Sequence, residues 1–154
     1  MKYFFNYCYK FCNLFIAEYD GAVCNVLFTK NKITGDFEKK ETPLLKSASK
    51  QLDEYFSGER KIFNLPIVFH GTDFQVKVWK ALQKIPYGET RSYGEIASMT
   101  GNPKASRAVG MANNRNPISI IVPCHRVIGY NGTLTGYAGG LELKQKLLNL
   151  ERME

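Results

Sequence analysis

Hydrophobic periodicity changes once along this chain, and the change limits the folds open to it. Tyr3, Phe5, Tyr7, Tyr9 and Phe11 alternate with Asn6, Cys8, Lys10 and Cys12, the period of two required of a half-buried strand. The run is aromatic like a leader, but Asn6, Lys10 and Asn13 interrupt it and no small-residue cleavage site follows, so it is read as the first strand. Two further apolar runs, Leu14–Tyr19 and Ala22–Phe28, meet across Asp20-Gly21, where glycine tolerates the positive φ of a hairpin turn. Thr42 offers an N-cap with Pro43 at the first helical position, and Leu44, Leu45, Ala48, Leu52 and Phe56 follow at helical spacing until Gly58. Phe63, Leu65, Ile67 and Phe69 alternate again. Residues 1–69 therefore read as hairpin, helix and strand, a small α/β support domain in an α+β protein.

From His70 the pattern becomes one of short capped helices, and residues 70–154 read as a second, mostly helical domain. Thr72-Asp73-Phe74-Gln75 is a capping box whose helix is expected to run to Ile85, before Pro86 and Gly88. Ser92-Tyr93-Gly94-Glu95 opens another helix through about Met99. Asn102 then offers a cap and Pro103 a start for a third helix reaching Asn113. Two short helices across such a break have the form of a helix-turn-helix. Ile118–Val122 reads as a buried strand, followed by Pro123-Cys124-His125-Arg126, a glycine-rich loop through Gly140, and a last amphipathic helix with Leu143, Leu147 and Leu150 on one side and Glu151 near its end.

Composition narrows the class. The 154 residues are 44% hydrophobic and 13% aromatic, with no low-complexity tract, which excludes a disordered chain, and no uncharged apolar stretch is long enough to span a bilayer. Of the net charge of +7, +6 falls between Lys77 and Arg126, where eight Lys and Arg face only Glu89 and Glu95. Such a cluster on a capped helix pair points to a polyanion, although helical Lys and Arg also serve simply to solvate a surface. The four cysteines, Cys8, Cys12, Cys24 and Cys124, are too unevenly spaced for a disulfide framework and fit a reducing, cytoplasmic compartment. Cys8, Cys12, Cys24 and His70 could be imagined around zinc, but they form no compact knuckle, so no metal is expected.

Two groups of residues could carry chemistry. On the helix from Pro103, Ala105, Ala108 and Ala112 share a face that is slim and nearly free of long polar side chains. A helix about 10 Å across enters a minor groove about 6 Å wide only if its contact face is small and the groove is opened, so this face suits minor-groove insertion better than base-edge readout. The same alanines would equally allow close helix packing. Arg107, the long cation here, could fill the base stack where a nucleotide is extruded, or merely touch a phosphate. The second group is Cys124-His125 with Glu151. A thiolate nucleophile needs a base to offset the effect of burial; His125 could take the proton through a water, and Glu151 could orient the imidazole. A structural Cys-His pair remains the alternative.

The ordered set Arg107-Ala108-Val109-Gly110, Pro123-Cys124-His125-Arg126-Val127-Ile128-Gly129 and Thr135-Gly136-Tyr137-Ala138-Gly139-Gly140-Leu141 resembles the methylated-DNA-protein-cysteine methyltransferases, also called O6-methylguanine-DNA methyltransferases. The likeness runs from about Gly71 to Glu151 and includes Phe74-Gln75, Val78-Trp79, Ile85-Pro86, Gly88-Glu89-Thr90 and Ser92-Tyr93-Gly94. It implies a ribonuclease-H-like first domain and a helix-turn-helix second domain. It implies repair of O6-methylguanine in duplex DNA, with O4-methylthymine a candidate second lesion, by irreversible single-turnover transfer of the alkyl group to Cys124. The damaged base would be flipped through the minor groove, with Arg107 in its place and Ala105, Ala108, Ala112 and Ser92 against the DNA. Tyr93 would assist the departing guanine, Asn116 would tie the helical motif to the active-site loop, and His125 with Glu151 would form the proton relay. Val127, Tyr137 and Ala138 would line the pocket; the carbonyls of Cys124 and Val127 would read the guanine amino group, and the Ala138 amide would face O6. Many relatives carry serine at the position of Ala138, a change that leaves the backbone donor in place.

No cofactor, membrane or obligate protein partner is expected, and a monomer is. The rival readings are an alkyltransferase-like protein that binds the lesion without accepting the alkyl group, which the presence of Cys124 disfavours; a transcription factor, disfavoured by the alanine-rich face; and a turning-over thiol hydrolase, for which no oxyanion hole is legible.

Overall fold

Strand β1 (Lys2–Cys8) turns back into β2 (Asn13–Tyr19), which turns back into β3 (Ala22–Phe28) in a computed structural model that describes residues 1–28 and 35–152. The second hairpin is the one expected at Asp20-Gly21: both residues have positive φ, 48° and 84°, as in the two-residue turns that match strand twist. The first strand ends earlier than its alternation suggests. Tyr9 and Phe11 lie in the turn, where Tyr9 N–H donates to Cys12 O at 2.9 Å, and both rings pack on Phe56, with centroids 5.1 and 5.6 Å away. The sequence reading missed β4 (Glu38–Lys39), which pairs parallel with β1 and completes a sheet of order β3-β2-β1-β4.

Helix α1 (Pro43–Phe56) starts as the sequence predicts, with Thr42 Oγ1 accepting Leu45 N–H at 3.1 Å. Its apolar side buries Leu45, Ala48, Leu52, Tyr55 and Phe56 and packs on β2 and β3, whose Leu14, Ile16 and Val26 are fully enclosed. The expected strand at Phe63–Phe69 is instead an extended segment touching β3 at one bridge, Ile67 to Val23. Pro66 lacks an N–H to extend a ladder, and the same β3 edge also receives Pro117–Ser119: Val26 N–H donates to Pro117 O, Ser119 N–H donates to Val26 O, and Val26 bridges Ile118. The edge is divided between two short segments, so neither forms a strand. Gln51 holds the first by donating to Asn64 O at 3.1 Å and accepting Asn64 N–H at 2.9 Å. Gln51→Leu should cost about 1–3 kcal/mol, the penalty of leaving such groups unsatisfied, read as a lowered urea midpoint at unchanged slope.

Residues Pro117–Ile121 thus group with Met1–Phe69, while the second unit is His70–Asn116 with Val122–Glu154. In the run Ile118–Val122 every residue but the half-buried Ile121 is buried, as expected, but it is not a strand. Ile120 has φ 71°, and Ile121 N–H bonds to Ser119 O at 2.8 Å, a three-residue turn in a backbone region unusual for a β-branched side chain.

The second unit holds α2 (Asp73–Leu82), β5 (Arg91–Ser92), α3 (Tyr93–Met99), α4 (Ser106–Asn114), β6 (Val127–Ile128) and α5 (Leu141–Arg152). Both predicted capping boxes form, with the side chains of Thr72 and Gln75, and of Ser92 and Glu95, each reaching the other residue's backbone N–H. Helix α2 stops three residues before Ile85, in a turn closed by Lys84 N–H to Ala81 O and Ile85 N–H to Leu82 O, because the residue before proline disfavours helical backbone. Helix α4 starts three residues after Pro103. Asn102 accepts Lys104 N–H on its side chain and Ala105 N–H on its carbonyl, making a turn and not the helix cap. Val78, Trp79, Leu82, Ile96, Val109 and Ala112 are buried in the helical core, and the Trp79 indole donates to Ala112 O at 2.9 Å. Among the described residues no helix is long and apolar enough to cross a membrane.

Candidate active site

The chain leaves the second unit after Asn116 and re-enters it at Val122, and Asn116 pins these two points by donating from Nδ2 to Val122 O at 2.8 Å. Pro123, with φ −82° and ψ 65°, sits at the centre of a three-residue turn in which Cys124 N–H donates to Val122 O at 2.8 Å. Cys124–Arg126 then form a single 3₁₀ turn, closed by Val127 N–H to Cys124 O. Strand β6 follows at once and pairs parallel with β5, Val127 opposite Arg91 and Ile128 opposite Ser92. Because Ser92 caps α3, the cysteine turn and the start of the first motif helix are held in one register.

Cys124 is 4% exposed. Burial pushes its thiol up; the Asn116 side chain, the Lys144 charge and the backbone N–H groups of Cys124 and His125 pull the other way. His125 is wholly buried, and burial lowers its pKa despite the opposing influence of Glu151, so the imidazole is neutral at pH 7. Its Nε2 lies 2.6 Å from Glu151 Oε2. Arg126 donates from Nε to Glu151 Oε1 at 2.7 Å and from Nη2 to Oε2 at 3.1 Å, and a third bond from Nη1 reaches Ile85 O. Burial alone would raise the Glu151 carboxyl; hydrogen bonds and charge from His125 and Arg126 outweigh it and hold the pKa at about 2. Gly88 N–H approaches Glu151 Oε1 at 3.3 Å, and a Cβ there would come within 3.1 Å of the Glu151 carbonyl, at a φ of 82° that already favours glycine.

Around this centre the loop after β6 is tied back at two points. The Tyr93 hydroxyl hydrogen-bonds the Thr135 hydroxyl, and Lys144 Nζ donates to Val127 O at 2.6 Å and Thr135 O at 3.1 Å. Tyr137 is half-buried with its ring edge-on to His125, centroids 6.5 Å apart; Val127 is fully buried and Ala138 exposed. The two carbonyls expected to read guanine already accept from protein donors, Val127 O from Lys144 and Cys124 O from the Asn113 amide at 3.4 Å. Cys124 O also accepts Val127 N–H, so both of its lone pairs are engaged and a ligand donor there would have to displace the long Asn113 bond or share an acceptor site.

The fold thus gathers Cys124, His125, Glu151 and Asn116. Tyr93 lies beside the loop, its ring 3.7 Å from where a Cβ on Gly110 would stand. The helix-turn-helix face departs from expectation at one position. Ala105 is half-buried and Ala108 exposed, but Ala112 is 3% exposed, with its carbonyl bonded to Trp79. Helical rotation places Arg107, Met111 and Asn114 on the outer stripe, and Met111 is 60% exposed. Arg126, counted in the basic cluster, is buried against Glu151 and lends nothing to a surface, and Arg91 pairs with Glu89 at 3.1 Å. Sequence reasoning also missed Thr135 and Lys144. For the lysine a signal existed: Lys144, Leu148 and Glu151 are spaced i, i+4 and i+7, one side of α5.

The family model described as the 6-O-methylguanine DNA methyltransferase DNA binding domain matches residues 73–153, and the ribonuclease-like domain of the same family matches residues 7–69. The methylated-DNA–protein-cysteine methyltransferase of Methanosarcina acetivorans is 67% identical over 106 residues, covering 69% of this chain and 68% of that protein. The constitutive enzyme of Bacillus subtilis is 52% identical over 147 residues, covering 91% and 89%. The crystal structure of Mycobacterium tuberculosis OGT in complex with DNA superposes with a TM-score of 0.92 at 46% identity, covering 97% of this chain and 92% of that one. With both halves matched and the likeness extending through the cysteine turn, the chain belongs to the 6-O-methylguanine DNA methyltransferase family.

Proposed function

We propose that Cys124 is the acceptor through which this protein repairs O6-alkylguanine in duplex DNA, and that His125 and Glu151 are its proton relay. The observation that carries the reading is the buried thiol adjoining a neutral, buried imidazole whose far nitrogen is bonded to an ionised carboxylate at 2.6 Å. With Nε2–H given to Glu151, the thiol proton passes through a water to Nδ1, and Glu151 stabilises the imidazolium. The thiolate attacks the alkyl carbon in line; a C–S bond forms, the C–O bond breaks, and its electron pair moves onto the guanine. Tyr93 donates to the base as it departs, and the relay proton returns to leave neutral guanine. S-methylcysteine has no carbonyl for water to attack and only a poor leaving group, so the thioether persists and each molecule acts once.

Helix α4 enters the minor groove with Arg107, Ala108 and Met111 foremost, and Arg107 occupies the space of the flipped nucleotide. A reduced Cys124 requires a reducing compartment, which supports a cytoplasmic location; duplex DNA is the partner and the protein acts as a monomer. Incubation with DNA carrying labelled O6-methylguanine should transfer one methyl per molecule, and peptide mass mapping should place it on Cys124; label elsewhere, or none on folded protein, overturns the assignment. Arg107→Ala should slow duplex repair about a hundred-fold, the effect of withdrawing roughly 2–3 kcal/mol from extrusion, while reaction with the free alkylated base stays near wild type. Equal losses on both substrates would remove Arg107 from the flipping step.

A further inference from the structure

Lys144 takes no part in the relay, yet its side chain is 0% exposed, and a lysine is almost never enclosed unless its charge is met. Its two hydrogen-bond acceptors, Val127 O at 2.6 Å and Thr135 O at 3.1 Å, are neutral, and among the described residues it forms no ion pair. Val127 stands three residues after Cys124 and closes the 3₁₀ turn onto the Cys124 carbonyl, so the ammonium is bonded to the turn that presents the thiol. Its other arm holds the residue whose hydroxyl engages Tyr93.

We propose that Lys144 is a positioning residue for alkyl transfer, supplying the fixed positive charge that meets the Cys124 thiolate and locking the Thr135 loop onto the cysteine turn. This rests on Cys124 being the nucleophile. The other charged and titratable groups of this centre are His125 and Arg126 from the same turn as the thiol and Glu151 from α5, with Tyr87 packed against Arg126. Arg126 and Glu151 pair with each other, and His125 is neutral at rest, which leaves Lys144 as the charge without a counter-ion until the thiol ionises. The influence is mutual: Lys144 draws the thiol down against burial, and Cys124 draws the lysine up against the same burial.

The test is the pH profile of Cys124 alkylation by iodoacetamide, followed by peptide mass, in Lys144→Met, Lys144→Gln and Lys144→Arg. Met removes the charge and the donors; Gln removes the charge and keeps an N–H donor; Arg keeps both. Met and Gln should move the thiol titration up by about one unit, slowing reaction at pH 7 about ten-fold and recovering at high pH, and Arg should restore the wild-type profile. A folded Gln variant that titrates as the wild type, or a loss equal at every pH, overturns the proposal. A measurement on the unaltered protein covers variants that fail to fold: the Nζ resonance of Lys144 should titrate at lower pH once Cys124 has been methylated by DNA, and an unchanged titration is equally fatal. Methylation mapped away from Cys124 defeats the nucleophile assignment, whereas methylation on Cys124 with unaltered Lys144 behaviour defeats only this inference.

Discussion

Cys124→Ala should bind O6-methylguanine duplex and should never acquire a methyl group, since alanine offers the alkyl carbon no lone pair. Where a site is built around one nucleophile, its removal lowers the chemical step on the order of a million-fold, and in this variant the proposed acceptor itself would be gone. Binding should survive, because Arg107, Ala108 and Met111 lie on α4, outside the cysteine turn. The fold should survive too: the backbone bonds of the turn, Cys124 N–H to Val122 O and Val127 N–H to Cys124 O, do not involve the side chain. The expected record is a gel shift of wild-type strength with no label on the protein after any incubation time. Label on Cys8, Cys12 or Cys24 in the variant would mean that the acceptor lies elsewhere. Burial pushes the Cys12 and Cys24 thiols up to about 11 and raises that of Cys124 as well, so it is the mapped label that separates the candidates.

Glu151→Ala should damage stability and rate together. The carboxylate accepts two bonds from the Arg126 guanidinium and sits 2.6 Å from His125 Nε2, with its side chain 1% exposed. Deleting it leaves a buried cation without its anion, a change that costs about 3–5 kcal/mol, and removes the acceptor that fixes the imidazole tautomer, part of a base contribution of about 10²–10⁴ in rate. Urea unfolding and single-turnover kinetics separate the two, and Glu151→Gln should recover part of the stability but less of the rate. The pH dependence has a definite sign. The folded carboxyl titrates at about 2, against an ordinary value of 4.5, so its contribution is complete above about pH 4.5 and lost as pH falls toward 2. The lowered pKa of His125 acts in the same direction, contributing stability above its ordinary 6.5 that is lost as the pH falls below it, where the unfolded chain takes up the proton first. Melting temperature measured from pH 7 to pH 3 should decline across both windows in the wild type; in the Ala variant the window below pH 4.5 flattens.

Local elements were legible wherever the cause is local. The caps at Thr42, Thr72 and Ser92 bind within three residues of themselves, and the turn at Asp20-Gly21 needs only its own dihedral angles. Prediction failed where a distant partner decides. Phe63–Phe69 and Ile118–Val122 have strand-like apolar character, yet they compete for one edge of β3, and Glu38–Lys39 forms a strand with no apolar pattern because β1 offers it an edge. Ala112 shares a face with Ala105 and Ala108 in the helix template, but the rotation of α4 was set by Val109 and by the Trp79 indole reaching the Ala112 carbonyl.

The site divides along the same line. From the residues alone came the cysteine with its neighbouring base, the distant Glu151, the capped helix pair with Arg107, and a family resemblance that the matches over both halves uphold, because motif chemistry and helical period are written in short stretches of chain. Tertiary structure alone decided that Arg126 is a buried partner of Glu151 and not surface charge, that Thr135 meets Tyr93, and that Lys144 turns inward onto the cysteine turn. Whether a charge faces water or a buried anion depends on what folding places opposite it, and residues separated by tens of positions in the chain acquire that relation only when the core closes around them.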